Sequence, residues 1–236
     1  MINNIKVEIC CGTIDDCLVA NEFEVDRIEL NSALELGGLT PSVATLRMAK
    51  KMVKLPLCCM VRTRTSGFVY TKNQLEVMKQ DAKILLDEGA DGIVFGFLNE
   101  DHTIDKKNTK ELVEIIHSYG KEAIFHKAFD ECKDLNQACL DLIECKVDRV
   151  LTGGGKCSIE EGSKIIGQLH EKYGNQLQLL PGGGVKATNI NDIVKNAKSG
   201  QVHMTAKQTY YDDGNYVAVD RETLRKNLEI LRIENN

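Results

Sequence analysis

Apolar residues in this chain fall into eight short runs, and each run stops at a polar or glycine-rich tip. The runs Lys6–Cys10, Arg27–Leu30, Leu57–Val61, Gly92–Phe95, Glu122–His126, Arg149–Thr152, Leu177–Leu180 and Gln201–Met204 have the length and bounding turns of strands. Helical spacing fills the intervals: Leu75, Met78, Ala82, Leu85 and Leu86 share one face, as do Leu112, Ile115, Ile116 and Tyr119, and Leu135, Cys139, Leu142 and Ile143. Further stripes run through Ile190, Ile193, Val194 and Ala197, and through Leu224, Leu228 and Leu231. Thr13 is placed to cap a helix, Thr40-Pro41 reads as a cap and first-turn proline, and Ser158-x-x-Glu161 has the form of a capping box. A strand–helix alternation repeated eight times predicts a closed (β/α)8 TIM barrel, an α/β fold whose chemistry sits at the carboxyl ends of the strands. No linker divides the chain, so one domain over residues 1–236 is expected.

Alternation along each strand says which side chains face the barrel axis. If Val7 and Ile9 meet the helices, Glu8 points inward and Cys10 toward the mouth; Glu29 and Asn31 follow the same rule in the next run. Arg62 and Arg64 share a face with Cys58 and Met60, and His126 shares one with Ile124. Two carboxylates, two guanidiniums and an imidazole would then surround one cavity, with Glu8 and Glu29 balancing Arg62 and Arg64. His126 at a strand end is a candidate acid or base, Asp130 could orient it or hold a ligand, and His203 occupies the equivalent place in the last strand. Gly153-Gly154 and Gly182-Gly183-Gly184 follow the sixth and seventh strands. The second run, with a helix capped by Thr188, fits an anion cradle of backbone N–H groups. A repeated template, Val25-Asp26-Arg27, Ala90-Asp91-Gly92 and Val147-Asp148-Arg149, predicts that the aspartates hold the turns entering alternate strands.

The net charge of −5 argues against a nucleic-acid surface, and no apolar stretch nears the ~20 residues that cross a bilayer. The start of the chain does not read as a secretory signal, which predicts a cytoplasmic protein. Nine cysteines without a C-x-x-C pair predict reduced, mostly buried thiols rather than a zinc ribbon or redox motif. Base rates for soluble oligomers make a homodimer the default assembly.

Val7-Glu8-Ile9-Cys10, Asp26–Leu30, Gly37–Ser42, Met60–Arg64, Gly67–Tyr70, Phe125–Asp130, Leu151–Gly154 and Gly182–Val185, in this order, resemble the copper homeostasis protein CutC family. The resemblance runs along nearly the whole chain. It implies a cytoplasmic (β/α)8 barrel associated with copper handling, copper ions being bound by some members, with no firmly attached reaction. Three positions depart from the family pattern: Lys127 where Arg is usual, Gly153 where Ser is usual, and Asn31 where many relatives carry Cys. A thiol at position 31 would face the mouth beside Cys10, and Cu(I) favours thiolates. Cys10 alone is therefore a weak metal candidate, and weak or absent specific copper binding is expected. The competing reading is an enzyme acting on a small anionic or phosphorylated metabolite by Glu/His acid–base chemistry.

Overall fold

The computed structural model describes residues 1–233. The strands are β1 (Lys6–Cys11), β2 (Arg27–Leu30), β3 (Leu57–Met60), β4 (Gly92–Phe95), β5 (Glu122–Phe125), β6 (Arg149–Thr152), β7 (Gln178–Pro181) and β8 (Gln201–Met204). They form one parallel sheet in the order β7-β6-β5-β4-β3-β2-β1-β8, which curls into a nearly closed barrel. At the seam between β7 and β8, the Gln201 side-chain amide donates to the Leu179 carbonyl at 3.0 Å.

Among the described residues eight α-helices alternate with the strands: α1 (Ile14–Asn21), α2 (Val43–Met52), α3 (Lys72–Asp87), α4 (Lys106–Ser118), α5 (Leu135–Glu144), α6 (Ile159–Tyr173), α7 (Ile190–Ala197) and α8 (Arg221–Ile233). Outward residues of the strands, such as Val7, Ile9, Ile28, Leu30 and Phe95, are fully buried against the apolar helix faces. Inside the barrel a separate apolar cluster, Cys58, Met60, Val94 and Ile124, fills one side. None of the helices among the described residues is long and apolar enough to cross a membrane.

The repeated aspartates hold turns as the template predicts. Asp26 accepts the Val7 amide, Asp91 the Leu57 amide and Asp148 the Ala123 amide, at 2.8–3.0 Å. The entries of β2, β4 and β6 are thereby tied to the first residues of β1, β3 and β5. Thr13 caps α1 in a capping box with Asp16, and Ser158 caps α6 through the Glu161 amide.

Two cap assignments are corrected. The cap of α2 is Ser42, not Thr40; the Thr40 hydroxyl instead accepts the Arg62 amide at 2.9 Å, pinning the loop beside the mouth. The helix after β7 starts from Asn189, not Thr188, and that side chain accepts the Lys186 amide and donates to the Gly184 carbonyl. The periodicity also left unread a hairpin, β9 (Lys207–Tyr211) and β10 (Asn215–Val219), which follows β8 and brings Lys207 to the mouth.

Candidate functional site

Glu8, the third residue of β1 and 2% exposed, lies at the centre of the barrel's polar layer. Its carboxylate receives Arg27 Nε, Arg149 Nη2 at 3.3 Å and His203 Nδ1 at 2.7 Å. Arg149 also reaches Glu122 at 3.0 Å, and Arg27 donates to Gln201 Oε1 at 2.7 Å. Burial alone would raise the Glu8 pKa, but Arg149, Arg27 and His203 outweigh it and hold the carboxyl well below the usual range. The expected balance of Glu8 and Glu29 with Arg62 and Arg64 is therefore corrected: Glu8 is neutralised from Arg27 and Arg149, deeper in the barrel. Alternation turns both inward, Arg27 sharing a face with Glu29 and Arg149 with Leu151, but both stand at the strand entries, below the tips that line the mouth.

Above this layer the barrel opens into a cavity of about 620 Å³. Its floor carries Cys10, Glu29, Asn31 and His203; its walls include Met60, Phe68, Leu151 and Met204; Arg62 and His126 line one side and Lys127, Lys186 and Lys207 the rim. Glu29 accepts from Asn31 Nδ2 at 2.8 Å, and its closest cation among the described residues is His203 Nε2 at 4.0 Å. Burial would lower the His203 pKa, yet the Glu29 charge and the Glu8 hydrogen bond overcome it and raise the value. His126 moves the other way, down to about 3, because burial and the Arg62 charge both disfavour its cation.

Of the residues expected at the site, Glu29, Arg62, His126, His203, Gly183, Gly184 and Cys10 line the cavity, with Glu8 directly behind His203. Arg64 does not. It turns outward, stacks its guanidinium over Tyr70 at 4.9 Å and donates to the Val69 carbonyl. Asp130 neither touches His126 nor offers a free carboxylate: it accepts Thr152 Oγ1, the Gly153 and Gly155 amides and Lys127 Nζ. Those bonds, with Thr152 Oγ1 accepting the Gly154 amide, use up the N–H groups of the first glycine run. Gly153 and Gly154 therefore shape the backbone rather than cradle an anion, and Gly154 packs against Gly162 too closely for a side chain. Gly182 packs against His203 below the mouth. The second run is different. Among the described residues the amides of Gly183, Gly184 and Val185 find no backbone acceptor, and all three residues line the cavity. Gly183 and Gly184 adopt φ of 104° and 93°, a conformation that favours glycine. Lys127 Nζ sits against Gly183, within 2.9 Å of where a Cβ would be.

Cys10, Glu29 and His203 can each present a ligand atom within 4.8 Å of the others. The position-31 side chain does face Cys10, as alternation requires, but it is a carboxamide whose Nδ2 donates toward Cys10 Sγ at 3.4 Å. Burial, then the Glu29 charge, push the Cys10 thiol well above its ordinary pKa. One sulfur, one imidazole and one carboxylate suit a borderline divalent ion; a site for soft Cu(I) would call for more sulfur. The remaining thiols do not help: Cys11, Cys17 and Cys59 are buried outside the barrel wall, and Cys58 lies in the barrel beneath the cavity against Arg149.

A CutC family model matches residues 5–208. A family protein CutC of Treponema denticola is 42% identical over 87% of this chain and 82% of its own length. The human copper homeostasis protein cutC homolog is 35% identical over 88% of this chain and 75% of its own. The crystal structure of a putative copper homeostasis protein CutC from Streptococcus agalactiae superposes with a TM-score of 0.79 at 28% identity, covering 84% of this chain and 97% of that one. A phosphoribosyl anthranilate isomerase from Thermococcus kodakaraensis, at TM-score 0.60 and 16% identity over 97% of this chain and 99% of that one, shares the barrel fold. The chain belongs to the CutC family, the family of copper homeostasis proteins, and has its TIM-barrel fold.

Proposed function

We propose that this CutC protein binds a small anionic organic molecule in its barrel mouth and catalyses proton transfer on it. One observation carries the reading: a single cavity joins a buried carboxylate, Glu29, that among the described residues has no close guanidinium or ammonium partner, to three backbone amides at Gly183–Val185 that find no acceptor there either. Lys127, Lys186 and Lys207 on the rim give the anion end a positive field, and the apolar walls strengthen it by excluding water. His203, tied to Glu8 through Nδ1, turns Nε2 toward Glu29 and can hand a proton to it or receive one. The unbridged, largely buried thiols fit a cytoplasmic setting. Thermal unfolding with inorganic phosphate and ethyl phosphate tests the anion end. Millimolar ligand should raise the wild-type midpoint by several degrees, as mass action requires. The Lys127→Met/Lys186→Met protein should respond less, and an equal response, or none in either, contradicts the reading.

A second reading, metal handling, is favoured by the Cys10–Glu29–His203 group. Its donors support a divalent ion over Cu(I), so Cu(I) should pass to a strong chelator in competition. Stoichiometric Cu(I) retention that disappears in Cys10→Ser would establish the copper reading in place of ours.

A further inference from the structure

Three residues that line the cavity each keep a buried polar atom with no hydrogen-bond partner among the described residues: Asn31 Oδ1, Arg62 Nε and His126 Nε2. Two of them are donors, and the structure fixes both as donors. Arg62 donates from Nη1 to the Gly37 carbonyl at 3.1 Å and from Nη2 to the Thr65 carbonyl at 2.6 Å, which fixes the guanidinium, while its Nε–H has no partner among the described residues. His126 Nδ1 accepts the Ala128 amide at 3.1 Å, so the ring proton sits on Nε2. The imidazole stays neutral through the physiological range, for the burial and Arg62 charge already described.

The two donors come from the ends of β3 and β5, and the strand between them makes room. Gly96 follows β4, and a Cβ there would lie 2.4 Å from His126 Cε1. Lacking that atom, His126 leans over the end of β4 toward Arg62. Phe68 covers both groups, its ring 5.0 Å from the imidazole and 5.1 Å from Arg62 Cζ. Two fixed, dry donors beneath an aromatic cover, in the same cavity as a carboxylate, form an arrangement suited to charge that develops on oxygen. A neutral imidazole polarises a carbonyl without giving up its proton.

We infer that Arg62 Nε–H and His126 Nε2–H receive a carbonyl oxygen of the substrate while Glu29 removes a proton from the adjacent carbon. The substrate class is a small α-hydroxy aldehyde or ketone bearing an anionic group, and the reaction class is enolisation. The inference rests on the acid–base reading above and names its substrate. In the step, the Glu29 carboxylate takes the proton. The C–H electron pair becomes the C=C bond, and the carbonyl π pair moves to oxygen, where the two donors hold the enolate. Return of the proton to the neighbouring carbon, with transfer of the substrate's hydroxyl proton to the enolate oxygen, completes an isomerisation, and return to the original carbon gives exchange with solvent; neither needs an oxidant or reductant.

Phosphoglycolohydroxamate, which mimics such an enolate, and ethyl phosphate, which has the anion alone, separate the two ends. For the wild type the hydroxamate should bind roughly 30-fold more tightly, about what two additional hydrogen bonds supply. In His126→Phe, with one of the two bonds gone, the advantage should fall to about 5-fold, with ethyl phosphate affinity unchanged. Independently of any variant, the His126 Nε2 proton of the wild type should shift downfield when the hydroxamate binds. If ethyl phosphate binds and the hydroxamate has no advantage, or keeps it in His126→Phe without moving the proton resonance, the donor pair is refuted and the anion-binding reading stands. Failure of both ligands to bind overturns both.

Discussion

Replacing Glu8 by Gln keeps the side chain's shape and removes the charge at the centre of the polar layer. Arg27 and Arg149, 8% and 1% exposed, would then share one remaining carboxylate, Glu122, which reaches only Arg149. Removing one member of a buried ion pair costs about 3–5 kcal/mol, largely because the partner is left charged in a poorly solvated place. That is a large part of the roughly 5–15 kcal/mol by which domains are stable. Urea unfolding at pH 7 should therefore show Glu8→Gln less stable by about 3–5 kcal/mol with little change in the denaturant slope. The pH dependence adds a signature. The Glu8 carboxyl is held below its unfolded value, so its contribution is fully present above that value and lost as pH falls toward the folded one. The gap between wild type and variant should accordingly narrow below about pH 4.3, where an unfolded glutamate begins to protonate. A loss under about 1 kcal/mol at pH 7, or a gap that does not narrow in acid, would refute the assignment of Glu8 as the layer's counter-charge.

Four further outcomes follow from the structure. His126, neutral down to about 3 in the fold, gives a contribution that is present above pH 6.5 and lost as pH falls, at about 1.4 kcal/mol per unit, and His126→Gln should flatten that acid limb. His203 is raised, so its contribution is present below pH 6.5 and lost as pH rises through its folded value; His203→Gln should flatten the alkaline side instead, and pH-resolved urea titrations read both. Gly96→Ala should leave the protein folded at a cost of about 1–3 kcal/mol while displacing His126, visible as a changed imidazole nitrogen spectrum; an unchanged spectrum would count against the lean of His126 over β4. Gly154→Ala sets a Cβ 2.3 Å from the Gly162 carbonyl at φ 77° and should cost more than about 3 kcal/mol by calorimetry, where a cost under 1 would show that the contact relaxes.

The barrel was readable because strand and helix periods alternate cleanly and because Asp26, Asp91 and Asp148 repeat at strand entries. Alternation correctly turned Glu8, Glu29, Cys10 and Asn31 inward, since a residue's face is settled within its own strand. It failed where position depends on loops. β3 ends at Met60; Arg62 still lines the cavity, but Arg64, two residues further into the loop, turns out over Tyr70. Asp130 lies in a 3-10 turn, Lys127–Glu131, which points it at the first glycine run rather than at His126. The two glycine runs look alike in sequence; only the partners of their amides tell them apart, Asp130 and Thr152 Oγ1 taking up the first run, while in the second Gly182 donates to the Thr152 carbonyl and Gly183 and Gly184 have no partner among the described residues. The unpartnered donors of Arg62 and His126 were likewise invisible, because they depend on which of each group's other atoms are already bonded.

A crystal structure of the protein grown with ethyl phosphate and Cu(I) together in a reducing, anaerobic medium tests the central claim most directly. Phosphate oxygens on the amides of Gly183, Gly184 and Val185, with no copper at Cys10, are the predicted result. An empty mouth with Cu(I) held by Cys10 would contradict it.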